Sequence, residues 1–362
     1  MFLSEERVQF PGTNYYVKLY RDYSGLASEL NTYAKASRYI ILTEKKIAGL
    51  YGKEVSLQLD TLKIPYEFIY IKGGEKNKHI DRLKEVYNSL IKKRIDRKAV
   101  ILALGGGVVG DFAGFVASTF LRGIRFVQLP TTLLACVDSS VGGKVAVNVD
   151  SGKNMVGAFH QPVLVYAALH TLYTLPLKEW RCGLAEVMKH SLLSDRSFFE
   201  RVLPFRLSEL SQHSVLIQYF ITRSVQFKAS VVAEDEKETG RRAILNLGHT
   251  TGHAIESYTS YKKYSHGEAV AIGLITALLL SGEMYSFPEN DLHKVLEFMR
   301  NSDFPTYSKI QASKLTEHML HDKKTDAEGI KFVLLKSVGE VEFGVPIRKD
   351  QIVSAWKKQK KV

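Results

Sequence analysis

The sequence predicts an α/β domain built on a parallel sheet, followed by a mostly helical domain. Up to about residue 175, short β-branched runs alternate with amphipathic stretches, which is typical of alternating strands and helices. After Pro176, apolar residues recur at helical spacing with few strand-like runs. The 362 residues are 45% hydrophobic and 24% charged, enough for two domains with a real core. We therefore predict domains at residues 1–176 and 177–362.

The first domain contains the strand signals. Five apolar runs predict strands, at Tyr39–Thr43, Tyr66–Ile71, Val100–Leu104, Phe126–Leu129 and Val163–Tyr166. Strands separated by helices predict a parallel sheet that is covered on both faces. Between the second and third runs, Lys78–Lys93 has apolar residues at three- and four-residue steps and is predicted to be a helix.

The second domain contains the helix signals. Six helices are predicted, at Leu177–Leu193, Phe198–Leu210, Val215–Val232, Thr250–Tyr258, Gly267–Tyr285 and Asp291–Met299. A hairpin is predicted from Ile330–Leu335 and Val341–Val345. The longest apolar run, Ala269–Leu280, is shorter than the roughly 20 residues of a membrane span. Two acidic residues near the N-terminus argue against a secretory signal. We expect a soluble, cytoplasmic protein that does not bind membranes.

The charge and the cysteine count limit the possible partners. Fifty Lys and Arg against 38 Asp and Glu give a net charge of +12, which favours an anionic partner such as nucleic acid, acidic lipid or a phosphorylated small molecule. Basic residues do not alternate with aromatics in a stripe, so nucleic-acid binding rests on charge alone. Cys136 and Cys182 are too few for a disulfide framework and are expected to be reduced, buried thiols.

Two glycine turns in the first domain follow predicted strands. Gly105-Gly106-Gly107 precedes a helical pattern, so its backbone N–H groups and the helix dipole could hold a pyrophosphate. The turn Gly73–Lys78 offers an acid for ribose hydroxyls and lysines for phosphates. A strand-to-helix turn with no ligand is the alternative interpretation, because the standard dinucleotide spacing is incomplete.

The segment Leu129–Pro162 is rich in small, hydroxyl and lysine residues. Burying so many polar groups is costly unless ligands or hydrogen bonds satisfy them. The cluster predicts a wet, cationic cleft for an anion, with Asp138 as the carboxylate for proton or hydroxyl chemistry. Solvated loops are the alternative.

Histidines and an acid cluster in the second domain. His249 and His253 are four residues apart and would share a helix face, so from spacing alone we expect both to bind one metal ion. Glu186 and His266 lie in similar glycine-flanked segments. Two imidazoles and a carboxylate form a common catalytic zinc set. Hydrogen-bonded structural histidines are the alternative.

Ordered motifs along nearly the whole chain resemble the 3-dehydroquinate synthase family. They are Gly73-Gly74-Glu75, Gly105–Asp111, Leu129–Lys144, Gly152–Pro162, Gly183–His190, Arg242–Glu256 and His266–Gly273. The resemblance implies a Rossmann-like NAD-binding domain, a helical domain that binds metal and substrate, and a cleft between them. It also implies one Zn²⁺ or Co²⁺ ion and a homodimer. The implied reaction converts 3-deoxy-D-arabino-heptulosonate 7-phosphate to 3-dehydroquinate and phosphate by transient NAD oxidation, phosphate elimination, re-reduction, ring opening and intramolecular aldol closure.

The resemblance also assigns residues. The implied metal ligands are Glu186, His249 and His266. The resemblance implies that His253 instead binds the substrate phosphate. The implied catalytic residues are Asp138, Lys144, Asn154, Lys189, Lys228, Arg242, Asn246, His253, Lys324 (or Lys323) and, supplied across a dimer interface, Arg122. The implied NAD contacts are Gly73, Gly74, Glu75, Lys76, Asn77, Lys78, Gly106, Gly107, Val108, Val109, Gly110, Asp111, Thr131, Thr132, Lys144, Lys153, Thr171, Leu172, Tyr173 and Thr174.

One motif departs from the family pattern. Val145-Ala146 follows Lys144 where Thr-Gly is usual, which would stiffen that segment and change the detailed nucleotide geometry. The competing enzyme hypothesis is a metal- and NAD-dependent alcohol or glycerol dehydrogenase, which would accumulate NADH.

Overall fold

The computed structural model describes residues 1–10, 12–207, 214–322 and 329–361, without the side chains of residues 321 and 322. This part of the chain forms two compact units. The first contains Met1–Leu175 and Lys228–Glu236, and the second contains Pro176–Phe227 and Lys237–Val362. The segment Lys228–Glu236, expected in the helical domain, thus packs with the first unit. Gln161 of that unit donates a hydrogen bond to Glu236 there.

The first unit is built on a seven-stranded sheet. Its strands are β1 (Phe2–Phe10), β2 (Thr13–Tyr20), β3 (Tyr39–Glu44), β4 (Tyr66–Ile71), β5 (Val100–Gly105), β6 (Arg125–Pro130) and β9 (Leu164–Ala168). They lie in the order β1-β2-β9-β6-β5-β3-β4. All neighbours are parallel except β1 and β2, which form an antiparallel edge hairpin. The five predicted strands are confirmed. The hairpin strands β1 and β2 were not predicted, and most residues of β1 are polar and solvent-accessible.

Helices cover both faces of this sheet, as predicted. They are α1 (Leu26–Tyr33), α2 (Lys45–Ile47), α3 (Lys53–Leu62), α4 (Leu83–Lys92) and α5 (Gly107–Thr119). Alternate residues of β3 enter two different cores: Ile40 packs with α4 and α5, whereas Ile41 packs with α1 and α3. The helix predicted over Lys78–Lys93 is shorter, because α4 begins only at Leu83 after a single 3₁₀ turn at Ile80–Arg82.

The strand order reverses at β3 and β5. The chain runs from β3 outward to β4, then returns to the other side of β3 to form β5. In open α/β sheets, ligands bind at the carboxyl ends of the strands where the order reverses. Here those ends carry Glu44 and the turn Gly105-Gly106-Gly107.

An antiparallel hairpin lies within the polar segment Leu129–Pro162. It consists of β7 (Lys144–Val149) and β8 (Gly152–Phe159). Val145 and Val147 of β7 are buried in the core that contains α5. The alternative of solvated loops was wrong for these residues. The segment is polar in overall composition, but apolar side chains alternate in β7 and are buried.

The second unit is mostly helical, as predicted. Its helices are α6 (Leu177–Ser194), α7 (Arg196–Val202), α8 (Ser214–Glu234, whose end belongs to the first unit), α9 (His249–Tyr258), α10 (His266–Tyr285), α11 (Glu289–Asn301), α12 (Ala312–Asp322) and α13 (Lys349–Gln359). The predicted hairpin is present as β10 (Ile330–Ser337) and β11 (Glu340–Ile347). The helix predicted over Phe198–Leu210 ends at Val202, just before Leu203-Pro204, where the proline disfavours helix.

Helix α10 is the core helix of this unit. Its 20 residues are long and apolar enough to cross a membrane. The shorter uninterrupted run Ala269–Leu280 had predicted that it does not. Within the structure, 72% of its apolar window is buried. Burial against protein is what the core helix of a folded domain shows.

Candidate metal centre and cofactor site

Three helices of the second unit bring a carboxylate and two imidazoles together. Glu186 lies in α6, His249 is the first residue of α9, and His266 is the first residue of α10. Glu186 Oε1 lies 3.7 Å from His249 Nε2 and 3.4 Å from His266 Nε2. The three ligand atoms lie within 4.8 Å of one another, and Glu186 is fully buried.

Glycines allow these helices to approach closely. A Cβ atom on Gly273 of α10 would lie 1.9 Å from the carbonyl oxygen of Gly248, the residue before α9. A Cβ on Gly267 would lie 2.4 Å from Cα of Cys182 in α6. Since neither contact tolerates a side chain, glycine at both positions fixes α9 and α6 against α10. The two histidines at the helix starts are thereby held beside Glu186.

The second nitrogen of each imidazole has its own acceptor. His249 Nδ1 lies 3.2 Å from the carbonyl oxygen of Leu247, and His266 Nδ1 lies 3.4 Å from Glu256 Oε2. A carbonyl and a carboxylate can only accept, so both Nδ1 atoms carry hydrogen and donate. Both Nε2 atoms are then directed to Glu186, the arrangement typical of histidines that bind metals.

The electrostatics of the two histidines differ. Burial and then the nearby Lys189 ammonium lower the pKa of His249 to about 3, so its imidazole is neutral at neutral pH. Burial also opposes the charged form of His266, but hydrogen bonds to Glu186 and Glu256 raise its pKa to about 10. Lys189 forms a buried ion pair with Glu186.

This donor set fits a divalent metal ion. With metal–ligand bonds of about 2.0–2.2 Å and tetrahedral angles, neighbouring ligand atoms lie about 3.3–3.5 Å apart. The observed 3.4 and 3.7 Å separations are close to these values. Three protein ligands leave a coordination position for substrate, as in catalytic zinc sites.

His253 does not belong to this group. Its ring lies 5.4 Å from that of His249, but His253 is in neither of the two groups of converging ligand atoms found among the described residues, and His249 is grouped with Glu186 and His266. The expectation from spacing alone, that His249 and His253 bind one ion together, is therefore wrong. Helical spacing places two side chains on one face but does not show which neighbouring helix supplies the third ligand.

Further candidate residues lie elsewhere in the second unit. Arg242 is buried in a 3₁₀ segment, Arg241–Asn246. Asn246 Nδ2 donates to Glu238 Oε1 at 2.6 Å, a partner that the sequence analysis did not identify. Lys323 and Lys324 lie outside the described residues.

In the first unit, the glycine turn after β5 leads directly into α5. Gly106 is the residue before the helix, and no described side chain caps the helix start. The Thr131 hydroxyl, one residue beyond β6, is buried and has no hydrogen-bond partner among the described residues. A buried, unpaired hydroxyl beside a free helix N-terminus fits a ligand with anionic oxygens. These features fit a dinucleotide.

The turn after β4 is part of a buried polar network. Lys78, only 3% exposed, donates to Asp111 Oδ2 at 2.8 Å and to Asn154 Oδ1 at 2.6 Å. Burial opposes its charge, but Asp111 and Glu75 raise the pKa of Lys78. Burial also opposes the charge of Glu75, which by itself would raise its pKa. The charges of Lys78 and Lys153 and a hydrogen bond from Asn148 nevertheless hold the pKa of Glu75 below its ordinary value.

The remaining predicted residues of the first unit have varied surroundings. Lys228 donates to the Asp138 backbone oxygen at 2.7 Å, and its ammonium lies 2.9 Å from Asp138 Oδ1. Lys144 is exposed at the start of β7, and Arg122 is exposed in a turn with φ of 67°. The Thr171 hydroxyl donates a hydrogen bond to the Ala168 carbonyl oxygen. Its side chain therefore stabilises the 3₁₀ segment Leu169–Thr174.

Three residues were missed by the sequence analysis. Glu44 ends β3, and its carboxylate occupies the space where a Cβ on Gly73 would lie. Glu256 is buried beside His266, and Asn148 bonds to Glu75. The helical spacing of Glu256, seven residues after His249, is the signal that could have identified it. For Glu44 and Asn148, only the folded chain shows the contact.

Comparison with solved structures defines the class of protein. The fold matches 2-deoxy-scyllo-inosose synthase complexed with carbaglucose-6-phosphate, NAD⁺ and Co²⁺, with a TM-score of 0.87 and 26% identity over 98% of this chain and 100% of that chain. It also matches 2-epi-5-epi-valiolone synthase from Streptomyces hygroscopicus with NAD⁺ and Zn²⁺ bound, with a TM-score of 0.86 and 23% identity over 96% of this chain and 97% of that chain. At that identity the second match shows the fold alone. The fold is that of the sugar phosphate cyclases.

Sequence comparison then gives the family. The family models for the 3-dehydroquinate synthase N-terminal and C-terminal regions match residues 68–182 and 183–325. A 3-dehydroquinate synthase of Leptospira interrogans is 55% identical over 95% of both chains, and one of Halalkalibacterium halodurans is 44% identical over 87% of this chain and 88% of that protein. The chain belongs to the 3-dehydroquinate synthase family.

Proposed function

We propose that this protein converts 3-deoxy-D-arabino-heptulosonate 7-phosphate to 3-dehydroquinate and inorganic phosphate, the second step of the shikimate route to aromatic amino acids. The reaction is that of a carbon–oxygen lyase acting on phosphates (EC 4.2.3.4). The observation that carries the proposal is the convergence of Glu186, His249 and His266 in a chain of this family. A cytoplasmic homodimer is part of the same proposal.

The two cofactors are held by different units. Glu186, His249 and His266 would hold Zn²⁺ or Co²⁺. The dinucleotide would be held by the Gly73–Lys78 turn, the Gly106–Asp111 turn, Thr131, Thr132, Lys144, Lys153 and the Thr171–Thr174 segment. When bound, NAD supplies a reversible hydride acceptor and the divalent ion polarises substrate oxygens. Glu44, at the end of β3, is placed to accept hydrogen bonds from ribose hydroxyls.

The chain's own residues bind and orient the substrate. We assign the phosphate to Lys144, Asn246, His253 and an Arg122 supplied by a second copy of the chain. Holding the phosphate in one orientation lets it act as the base for its own elimination, so the protein contributes mainly by positioning. Asp138, Asn154, Lys189 and Lys324 complete the set of substrate contacts.

The substrate carboxylate is assigned to cationic residues. Arg242 offers a planar fork of donors that matches two carboxylate oxygens. Lys228 is the second cation, and its ion pair with Asp138 holds the ammonium in place. Each of these cations is buried in its own unit, so solvent screens its attraction for a carboxylate only weakly.

Supplying the heptulosonate phosphate with a trace of NAD⁺ tests this proposal. We expect phosphate release in large molar excess over NAD⁺, no net rise in absorbance at 340 nm, and loss of activity with a chelator that added Zn²⁺ or Co²⁺ reverses. Sustained NADH formation would instead identify a metal-dependent alcohol or glycerol dehydrogenase. Phosphate release that is insensitive to the chelator would contradict the metal assignment.

A further inference from the structure

Asn148 lies where the β7–β8 hairpin meets the turn after β4. It is 7% exposed and uses its polar groups in several directions. Its backbone N–H donates to the Lys78 carbonyl at 2.7 Å. Its Nδ2 donates to the Glu75 carbonyl at 3.0 Å and to Glu75 Oε1 at 2.9 Å. Its Oδ1 accepts the backbone N–H of Asn154 at 2.9 Å. One side chain therefore joins two segments that are distant in sequence.

The contact with Asn154 supports a left-handed backbone conformation. Asn154 has a φ of 54°, a region that most residues avoid and that asparagine adopts more readily than other residues except glycine. Neighbouring hydrogen bonds help to hold the chain in this conformation. Here Asn148 accepts the Asn154 N–H while Lys78 donates to the Asn154 side chain. Asn154 is thus held at both its backbone and its amide.

The contact with Glu75 needs an amide. Glu75 Oε1 can only accept when ionised, so its partner must donate, and Asn148 Nδ2 does. The same side chain must also accept from Asn154, which requires a donor and an acceptor on one rigid plane. Aspartate at this position would keep the acceptor but lose the donor, and would place a second negative charge beside Glu75.

We propose that Asn148 is a positioning residue, which orients Glu75 toward the dinucleotide and Asn154 toward the substrate. The inference rests on the roles proposed above for Glu75 and Asn154. Asn148 itself is not a catalytic residue, because its side chain is occupied by Glu75 and Asn154. It links a cofactor contact and a substrate contact of the first unit through hydrogen bonds alone.

The test compares Asn148→Asp, Glu75→Gln and the double variant in the full-length protein, with NAD⁺ affinity measured by titration. Asn14→Asp is the matched control, since it makes the same change at an exposed position in β2. We expect Asn148→Asp to weaken NAD⁺ binding about tenfold or more, because it replaces a hydrogen bond with a like-charge contact. At saturating NAD⁺, the KM for substrate should change less, since the acceptor for Asn154 remains.

The NAD⁺ affinity of the double variant distinguishes a positioning role from a merely structural one. Its introduced glutamine can donate to its introduced aspartate, so the hydrogen bond forms again with its polarity reversed. We expect NAD⁺ affinity within about threefold of Glu75→Gln alone, the coupling expected of two residues in one hydrogen-bond network. Additive losses, or an Asn148→Asp variant that binds NAD⁺ like the wild type, would overturn the inference.

Two further results separate this inference from the proposed function. If Glu75→Gln weakens NAD⁺ binding and Asn148→Asp does not, only the role of Asn148 fails. If Glu75→Gln binds NAD⁺ normally, the cofactor role of Glu75 fails and the inference fails with it. Asn148→Ser, which removes the amide without adding a charge, tests the same contact should Asn148→Asp fail to fold. Wild-type NAD⁺ affinity in that variant would also overturn the inference.

Discussion

Glu186 is a fully buried carboxylate that faces two imidazoles and forms an ion pair with Lys189. Burying an ionised carboxylate is costly unless charges of opposite sign or a metal compensate it. A divalent cation would place two positive charges among these groups. At the residue scale, Glu186 is therefore the side chain on which the proposed metal binding depends most directly.

Glu186→Gln should abolish metal binding. The amide has nearly the same shape but carries no charge and is a poor ligand for Zn²⁺. We expect purified protein reconstituted with Zn²⁺ to fall from one ion per chain to less than about a tenth. His253→Ala is the matched control and should keep its ion, since His253 lies outside the ligand group. Metal analysis after gel filtration gives the result, and stoichiometric zinc in Glu186→Gln would refute the assignment.

At the scale of elements, α9 supplies more than one function. His249, His253 and Glu256 recur at four- and three-residue steps and share a face of the helix. His249 belongs to the proposed ligand group, whereas Glu256 accepts a hydrogen bond from the imidazole of His266 on α10. The helix therefore positions its own proposed ligand directly and that of its neighbour through a hydrogen bond.

Glu256→Gln should weaken metal binding without abolishing it. The amide leaves the three ligands in place but removes the charged acceptor that makes His266 a stronger donor to metal. Losses of such partners typically cost about 10–100-fold in metal affinity. Competition with a chelating dye measures the affinity, and unfolding by urea checks that the fold is intact. An unchanged affinity would show that Glu256 has no part in orienting His266.

Helix α7 offers a separate test of a single element. Asp195 caps its start, with Oδ1 accepting the Phe198 N–H at 3.0 Å. Burial raises the pKa of Asp195, but hydrogen bonds from Phe198 and Ser194 and the charge of Arg223 hold it below its ordinary value. The cap therefore stabilises the fold while the carboxylate is ionised.

Asp195→Ala should lower the free energy of unfolding by about 1 kcal/mol. Since the folded pKa lies below the unfolded value of 3.8, this contribution is complete above that value and is lost as the pH falls through the folded pKa. The difference from wild type, measured by urea unfolding, should therefore stay constant between about pH 8 and pH 5. Asp195→Asn keeps a capping oxygen and should lose less. If wild type and Asp195→Ala already had equal free energies of unfolding at pH 6, this account would be contradicted.

At the scale of the whole molecule, the net charge of +12 creates a field that attracts anions. The proposed substrate carries a phosphate and a carboxylate, so the field should increase its rate of encounter. Salt screens this attraction, with a Debye length of about 10 Å at 0.1 M. The charge is thus a property of the sequence with a kinetic consequence.

The kcat/KM for the heptulosonate phosphate should fall as salt rises, while kcat at saturation changes little. We expect a decrease of about threefold or more between 0.05 and 0.5 M KCl, because kcat/KM includes the encounter and kcat does not. Initial rates at saturating NAD⁺ and metal give the measurement. A kcat/KM that is independent of salt would show that long-range attraction makes no contribution.

The sequence alone determined the two-part organisation, most of the core elements and the family. The parallel strands β3, β4, β5, β6 and β9 and the helices α6 and α8–α11 follow from apolar periodicity, since burial against a sheet or helix requires it. Motifs along the chain indicated the family, which the comparisons confirm. The strands β1 and β2 and the β7–β8 hairpin were missed, because polar residues interrupt the apolar alternation.

Tertiary structure decided which side chains meet. Spacing favoured His249 with His253, but backbone contacts at Gly273 and Gly267 place His266 and Glu186 beside His249 instead. The same holds for Asn148, whose partners lie 73 residues earlier in the chain at Glu75 and six residues later at Asn154. Periodicity reports the environment of one element at a time. A ligand group depends on how closely separate elements pack, which is set by contacts that no local pattern records.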